Sequence, residues 1–260
     1  MSQQTHQSDP RILSRRTLDA DHRRLAGLLE TGMSVLDVGC GTGAITVGIA
    51  GKVGPAGRVL GIDRDDSLLS IARREHGGVP NLEFQRADVL DLMIEPGFDI
   101  VTAARTLQWI GQPERAVSAI GRAVKPGGRL VVLDYNHQRN SWSPDPPTEF
   151  QRFYQAFLNW RAANGWDNLM ADHLADLFRS AGLVDIEVHT DNEGGGTEAA
   201  AIWIHTIQTL GLQLVTDGFL TGLELDSAEA RYHDFIRTLL TRQTLNMKTV
   251  VGRRILGKRS

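Results

Sequence analysis

The stretch Val35-Leu36-Asp37-Val38-Gly39-Cys40-Gly41-Thr42-Gly43 has the residue types to hold a polar ligand against backbone. An apolar run enters a glycine-rich turn, and a helical pattern follows. Glycine lets the chain turn tightly and approach a ligand without Cβ interference. The first turn of a helix presents free N–H groups. Asp63 lies at the end of the next apolar run, where a carboxylate can accept hydrogen bonds from both hydroxyls of a ribose. Asp37 stands two residues before the first glycine. A carboxylate there opposes a pyrophosphate and favours a ligand carrying an ammonium or sulfonium charge. Gly39-x-Gly41-x-x-Ala44 also satisfies the relaxed dinucleotide pattern, a weak match taken alone. Cys40, the single cysteine, reads as a small residue in a tight turn and not as a nucleophile.

These residues need elements to place them. Apolar runs at Met33–Val38, Arg58–Ile62, Leu82–Arg86, Phe98–Ala103 and Arg129–Tyr135 alternate with helical stretches at Gly41–Lys52, Asp65–Arg74 and Pro113–Val124. That alternation predicts a parallel sheet with right-handed crossovers. Near-continuous apolar runs such as Val131-Val132-Leu133 fit a sheet covered on both faces. After Asn136 the pattern changes to a polar loop, His137–Pro147, and an aromatic helix, Glu149–Ala163. A helix at Asn168–Ala181, a strand at Leu183–His189 and a flexible joint at Glu193–Thr197 follow. Helices at Ala199–Val215 and Ser227–Thr241 and a last strand at Leu245–Val251 complete the pattern. The expected organisation is an N-terminal tail and helix over the ligand site (1–24) and an α/β core (25–136). A helical lid insertion (137–166), a core continuation (167–192) and a second lid insertion (193–243) come next, then a last strand with a basic tail (244–260). The fold class is α/β, a doubly wound and mostly parallel seven-stranded sheet with helical lid insertions.

VLDVGCGTG resembles motif I of the class I S-adenosylmethionine-dependent methyltransferases, and further segments match in the expected order. VLGIDRD resembles the second strand with its ribose-binding acid. Ala87-Asp88-Val89 resembles the third-strand end. Phe98-Asp99-Ile100-Val101 with Leu107-Gln108-Trp109-Ile110 resembles the fourth strand and its sequel, and Val124-Lys125-Pro126-Gly127-Gly128-Arg129-Leu130 the turn before the fifth. The resemblance covers Leu25 to Tyr135 closely. The lid layout beyond it resembles the ubiquinone/menaquinone C-methyltransferase group of small-molecule enzymes. It implies a Rossmann-like core, S-adenosylmethionine as cofactor and S-adenosylhomocysteine as product. Gly39, Cys40 and Gly41, with Gly43 in the same turn, would pass their backbone along the methionine part, and Asp37 would lie near its amino group. Asp63 would bind the ribose with Arg64 beside the adenine, and Asp88 and Val89 would read the adenine edge. Arg105 would lie near the cofactor's carboxylate end.

The acceptor pocket should come from the insertions. Trp109, Asn136, Trp142, Phe153, Tyr154, Phe157, Trp203 and His205 are its candidates, and their aromatic density favours a small apolar or aromatic acceptor. His137 is the first candidate base, because imidazole titrates near neutral pH, and Tyr135 the second. A net charge of -3 and a pI near 6.2 argue against a nucleic-acid partner. No apolar run reaches the ~18 residues of a membrane span. A lone Asp134 is not a hard-metal site, and one cysteine gives no Cys-rich site, so no metal is expected. Residues 1–9 read as a frayed tail, and Arg253, Arg254, Lys258 and Arg259 as a solvated end. A cytoplasmic protein, with a possible homodimer through the lid helices, is expected. The alternatives are a cofactor-binding protein without turnover, methylation of a macromolecule, and a nicotinamide oxidoreductase, against which Asp37 and the Lys125–Gly128 turn argue.

Overall fold

Runs of Val, Ile and Leu form the strands, and glycine or proline punctuation ends them. In the computed structural model, which describes residues 9–255, three four-residue helices come first: α1 (Pro10–Leu13), α2 (Leu18–Asp21) and α3 (Arg23–Ala26). Then follow β1 (Ser34–Val38), α4 (Ala44–Val53), β2 (Arg58–Asp63), α5 (Asp66–His76), β3 (Leu82–Arg86), β4 (Phe98–Ala104), α6 (Pro113–Ala123) and β5 (Val124–Tyr135). The second half holds β6 (Ser141–Ser143), α7 (Thr148–Ala163), α8 (Met170–Ser180), β7 (Leu183–Thr190), β8 (Glu193–Gly195), α9 (Thr197–Ala200), α10 (Ile202–Thr216), α11 (Gly222–Thr238), β9 (Arg242–Leu245) and β10 (Met247–Arg254).

The main sheet has the order β3-β2-β1-β4-β5-β10-β7, parallel except for β10, which runs antiparallel between β5 and β7. The order reverses between β1 and β4, and a crevice opens there at the carboxyl ends of the strands. Register brings the strand ends level: Val38 lies opposite both Ile62 and Ala103. Gly39, Asp63 and Arg105 therefore leave the sheet side by side. One face is covered by α6 and α8 through residues such as Val117, Ile120, Leu174 and Phe178. The other is covered by α4, α5 and the N-terminal segment through Ile45, Ile49, Leu69, Leu18 and Leu25. This is the doubly wound arrangement that the alternation predicts.

A second sheet, order β6-β9-β8, was not expected. Its strands extend the half of the main sheet ordered β5-β10-β7, in the same sequence across. β5 runs into β6 through a short 3-10 turn, β7 reaches β8 in two residues, and β9 joins β10 through Asn246 alone. Three expectations change as a result. The loop His137–Pro147 contains β6. The joint Glu193–Thr197 begins as β8, because Gly194 packs so tightly on β9 that a Cβ there would stand 3.0 Å from the Gln243 carbonyl. The last strand is two strands. The helix expected at Ala199–Val215 breaks at Ala201, and α11 begins five residues before Ser227. The cause is a capping box: Thr221 Oγ1 accepts from the Glu224 amide (3.2 Å), and Glu224 Oε2 accepts from the Thr221 amide (2.9 Å).

The lid has its own core. Phe150 stacks on Tyr232 with centroids 3.8 Å apart, and Phe153, Phe157, Trp160, Trp203 and Phe235 complete the cluster. At the chain end, Arg253 pairs with Asp185 (3.4 Å), and Arg254 donates to the Arg122 and Val124 carbonyls, so these two are anchored and not simply solvated. Residues 1–8, Lys258 and Arg259 lie outside the described residues. No helix of the described residues is long and apolar enough to cross a membrane.

Candidate functional site

The turn after β1 is shaped by backbone that only glycine tolerates. Gly39 has φ +73°, and a Cβ there would stand 2.4 Å from Thr106 Oγ1. The Gly39 and Cys40 amides donate to the Ile62 carbonyl at 2.8 and 3.0 Å, locking the turn to the end of β2. Gly43, φ +77°, caps α4, and its missing Cβ would meet Phe84 at 2.6 Å. It shapes the turn without lining the cleft beside it. Asp63 Oδ2 accepts from the Gly41 amide (2.9 Å) and Oδ1 from the Asp65 amide (3.0 Å), so one carboxylate bridges two loops while facing the cleft. Burial raises its pKa. Asp37 is buried and accepts from Thr46 Oγ1 at 2.7 Å; burial pushes its carboxyl up to about 6. Arg64, Asp88 and Val89 line the same cleft, with Asp88 capping the turn after β3 by accepting from the Leu90 amide at 2.9 Å. Cys40 is buried, and its thiol is raised well above its ordinary value by burial, which suits a filler and not a nucleophile.

Arg105 follows β4 with φ +58° and is almost fully buried. Its Nε donates to Tyr135 Oη (3.0 Å) and its Nη1 to the Asp21 carbonyl (3.1 Å), while Nη2 faces Glu193 and, at 3.7 Å, Asp21 Oδ1. The side chain lines the cleft, yet its donors join β4 and β5 to the N-terminal segment and to the lid. That differs from a group held ready for the cofactor's carboxylate, as the sequence suggested.

His137 also lines the cleft, stacked on Tyr135 and edge-on to Phe157. The Gln108 amide nitrogen donates to the Arg105 carbonyl (3.2 Å), so its oxygen faces His137 Nε2 at 2.5 Å. An acceptor oxygen there requires Nε2 to carry the proton, which leaves Nδ1 as a bare lone pair. Among the described residues Nδ1 is buried without a partner. Burial, then the Arg161 charge, holds the imidazole well below its usual pKa. Tyr135 is the weaker base, because burial raises its pKa and Arg105 already occupies its oxygen.

A family profile described as a methyltransferase domain matches residues 29–178, more than half of the chain. The chain belongs to the class I S-adenosylmethionine-dependent methyltransferases. This methyltransferase is 32% identical over 190 residues to a demethylmenaquinone methyltransferase of Lactococcus lactis, a match covering 65% of this chain and 72% of that one. It is 32% identical over 130 residues to a ubiquinone/menaquinone biosynthesis C-methyltransferase of Idiomarina loihiensis, covering 48% of this chain and about half of that one, at 49%. A Haemonchus contortus phosphoethanolamine N-methyltransferase 2, solved with phosphomonomethylethanolamine and S-adenosylhomocysteine, has the same fold. Its TM-score is 0.57 at 17% identity, with 90% of this chain and 51% of that chain covered.

The methyltransferase's cleft suits S-adenosylmethionine, the cofactor of the family. The glycine turn gives close backbone approach, Asp63 offers a carboxylate, and Thr42 Oγ1 is buried in the lining without a partner among the described residues. Of the acceptor candidates, Trp109, Phe157 and Trp203 line the cleft. The other five do not. Asn136 is buried and donates to Asp172 Oδ2 (2.7 Å). Trp142 donates to Tyr232 Oη (3.0 Å), and Phe153 is fully buried in the lid core. Tyr154 donates to the His137 carbonyl, and His205 is not part of the lining. The helical period of α7 gives one narrow stripe to the cleft, at Phe157, and the rest to packing. Arg16, Gln108 and Glu193 went unnoticed in the sequence. Gln108 sits inside a segment already matched to the family, and that placement was its only signal. Among the described residues no group of three or more His, Cys, Asp or Glu side chains is arranged to hold a metal ion.

Proposed function

We propose that this methyltransferase methylates a small apolar or aromatic acceptor held between the strand ends and the lid. The observation that carries this reading is one continuous cleft. It runs from Asp63 and the glycine turn to His137, Phe157 and Trp203, with Ile12 and Leu13 of α1 over it. Asp37, Gly39, Cys40, Gly41, Thr42, Asp63, Arg64, Asp88 and Val89 would hold the cofactor. When bound, it supplies a sulfonium-activated methyl group that an aligned nucleophile takes by in-line displacement, leaving S-adenosylhomocysteine. The chain's own work is to bind, align and keep water out. Trp109, Phe157, Trp203, Ile202 and Leu210 give the acceptor an apolar wall. His137 accepts the proton an acceptor must lose, at Nδ1, with Gln108 fixing the tautomer. The menaquinone and ubiquinone methyltransferases among its relatives make quinone-type rings the first acceptors to test.

The test is calorimetric titration with S-adenosylhomocysteine, with NAD as control, followed by a screen of aromatic acceptors against loss in His137→Ala. Micromolar binding of S-adenosylhomocysteine alone and a methylated aromatic product support the reading. Binding of NAD, or methylation that is indifferent to His137, would overturn the cofactor or the base assignment respectively.

A further inference from the structure

Arg16 lies between α1 and α2 and lines the cleft. Among the described residues its guanidinium has neither hydrogen bond nor ion pair. The other charged groups at this end are engaged. Arg105 donates to Tyr135 and Asp21 and pairs with Glu193, and Asp9 is held by Arg11 at 2.8 Å. Arg64, the third arginine of the lining, stands beside Asp63 at the ribose end. Arg105, Asp21 and Glu193 act electrostatically on Arg16, which places it near the end of β4. Arg16 is half-buried, and burial with the neighbouring Arg105 charge lowers its pKa. A guanidinium presents five N–H donors in a planar fork that matches a carboxylate. Arg64 also has no hydrogen bond or ion pair from its guanidinium among the described residues, but it stands at the ribose end; Arg16 is the unused fork beside Arg105.

We propose that Arg16 anchors a carboxylate in the cleft. The proposal rests on the reading of this cleft as the S-adenosylmethionine site. The carboxylate has two sources, the amino-acid tail of the cofactor or an acidic group on the acceptor. The N-terminal cover would then be drawn down as its ligand binds, since Arg16 and the apolar Ile12 and Leu13 belong to one segment.

Arg16→Gln separates the sources by calorimetry on the full chain. If S-adenosylhomocysteine binds at least tenfold more weakly while 5′-methylthioadenosine, which lacks the carboxylate, binds unchanged, the cofactor tail is the ligand. If S-adenosylhomocysteine is unchanged but 1-naphthoate loses its advantage over 1-naphthamide on the loaded protein, the acceptor carries the carboxylate. Arg16→Lys should recover part of either loss, because it keeps the charge without the fork. Unchanged binding of both S-adenosylhomocysteine and 1-naphthoate in Arg16→Gln overturns the anchor while leaving the cofactor site standing. Failure of the unmodified protein to bind S-adenosylhomocysteine sinks the cofactor reading itself.

Discussion

Asp63→Asn tests the cofactor site at its most constrained point. The native carboxylate accepts from the Gly41 and Asp65 amides at 2.9 and 3.0 Å and still faces the cleft. Asparagine keeps one acceptor oxygen and turns an NH2 group toward one of those two amides, donor against donor. The two hydroxyls of a bound ribose lose their charged acceptor at the same time. Charge-assisted bonds are worth ~1.5–3 kcal/mol each. With two at the lower end the loss is about 3 kcal/mol, or roughly 150-fold in Kd at 1.4 kcal/mol per factor of ten. Isothermal titration with S-adenosylhomocysteine reads the loss, and circular dichroism confirms that the variant is folded. A Kd within threefold of the parent in a folded variant would refute the ribose assignment and the crevice argument behind it.

Three further outcomes are expected. Asp134 is fully buried, accepts from the Gln108 and Tyr135 amides, and is pushed up to about 7 by burial. A raised carboxyl binds its proton more tightly folded than unfolded, so it takes stability away as pH rises from about 4 through 7. In Asp134→Asn the stability relative to the parent should therefore rise over that window, and denaturant melts showing a flat difference would contradict this. Arg105→Met should cost about 3–5 kcal/mol, because it strips the partner from Glu193 and Asp21 and leaves Tyr135 Oη unpaired, and a small change in Tm would show the bridge to be idle. Phe153→Ala should cost about 3–5 kcal/mol of stability while leaving S-adenosylhomocysteine affinity unchanged, since Phe153 belongs to the lid core; weaker binding of the ligand in a folded variant would put Phe153 back in the site.

The part of the cleft lined by the glycine turn and Asp63 was legible because its determinants are local. A glycine turn, an acid at a strand end and a Lys-Pro-Gly-Gly turn each declare themselves within a few residues, and parallel strands bring their ends together by rule. The acceptor half depends on what packs against what. α7 carries Phe150, Phe153, Tyr154, Phe157 and Trp160, and nothing in their spacing tells that only Phe157 reaches the cleft. Gly194 and Gly195 read as a joint because glycine signals freedom. Here the bare backbone of Gly194 lets β8 lie against β9, and that of Gly195 lets α9 pack on it through Ala199. Arg105 shows the same limit: its place after β4 was plain, but its partners Asp21 and Glu193 are 84 and 88 residues away along the chain. The Thr221-x-x-Glu224 box, in contrast, was a local signal that could have placed the start of α11.

The three strands of the lid sheet are rooted in three adjacent strands of the main sheet, with a single residue between β9 and β10 and two between β7 and β8. Such short roots make that side of the cavity a stiff bracket, unable to swing without bending the scaffold that carries it. The opposite wall is the single-turn α1 and the turn that carries Arg16, a far softer cover. Traffic into and out of the cavity should pass under this N-terminal flap. Exchange of bound molecules should then be governed by how readily 9–16 lift, and tethering that segment should slow release while leaving the shape of the pocket unchanged.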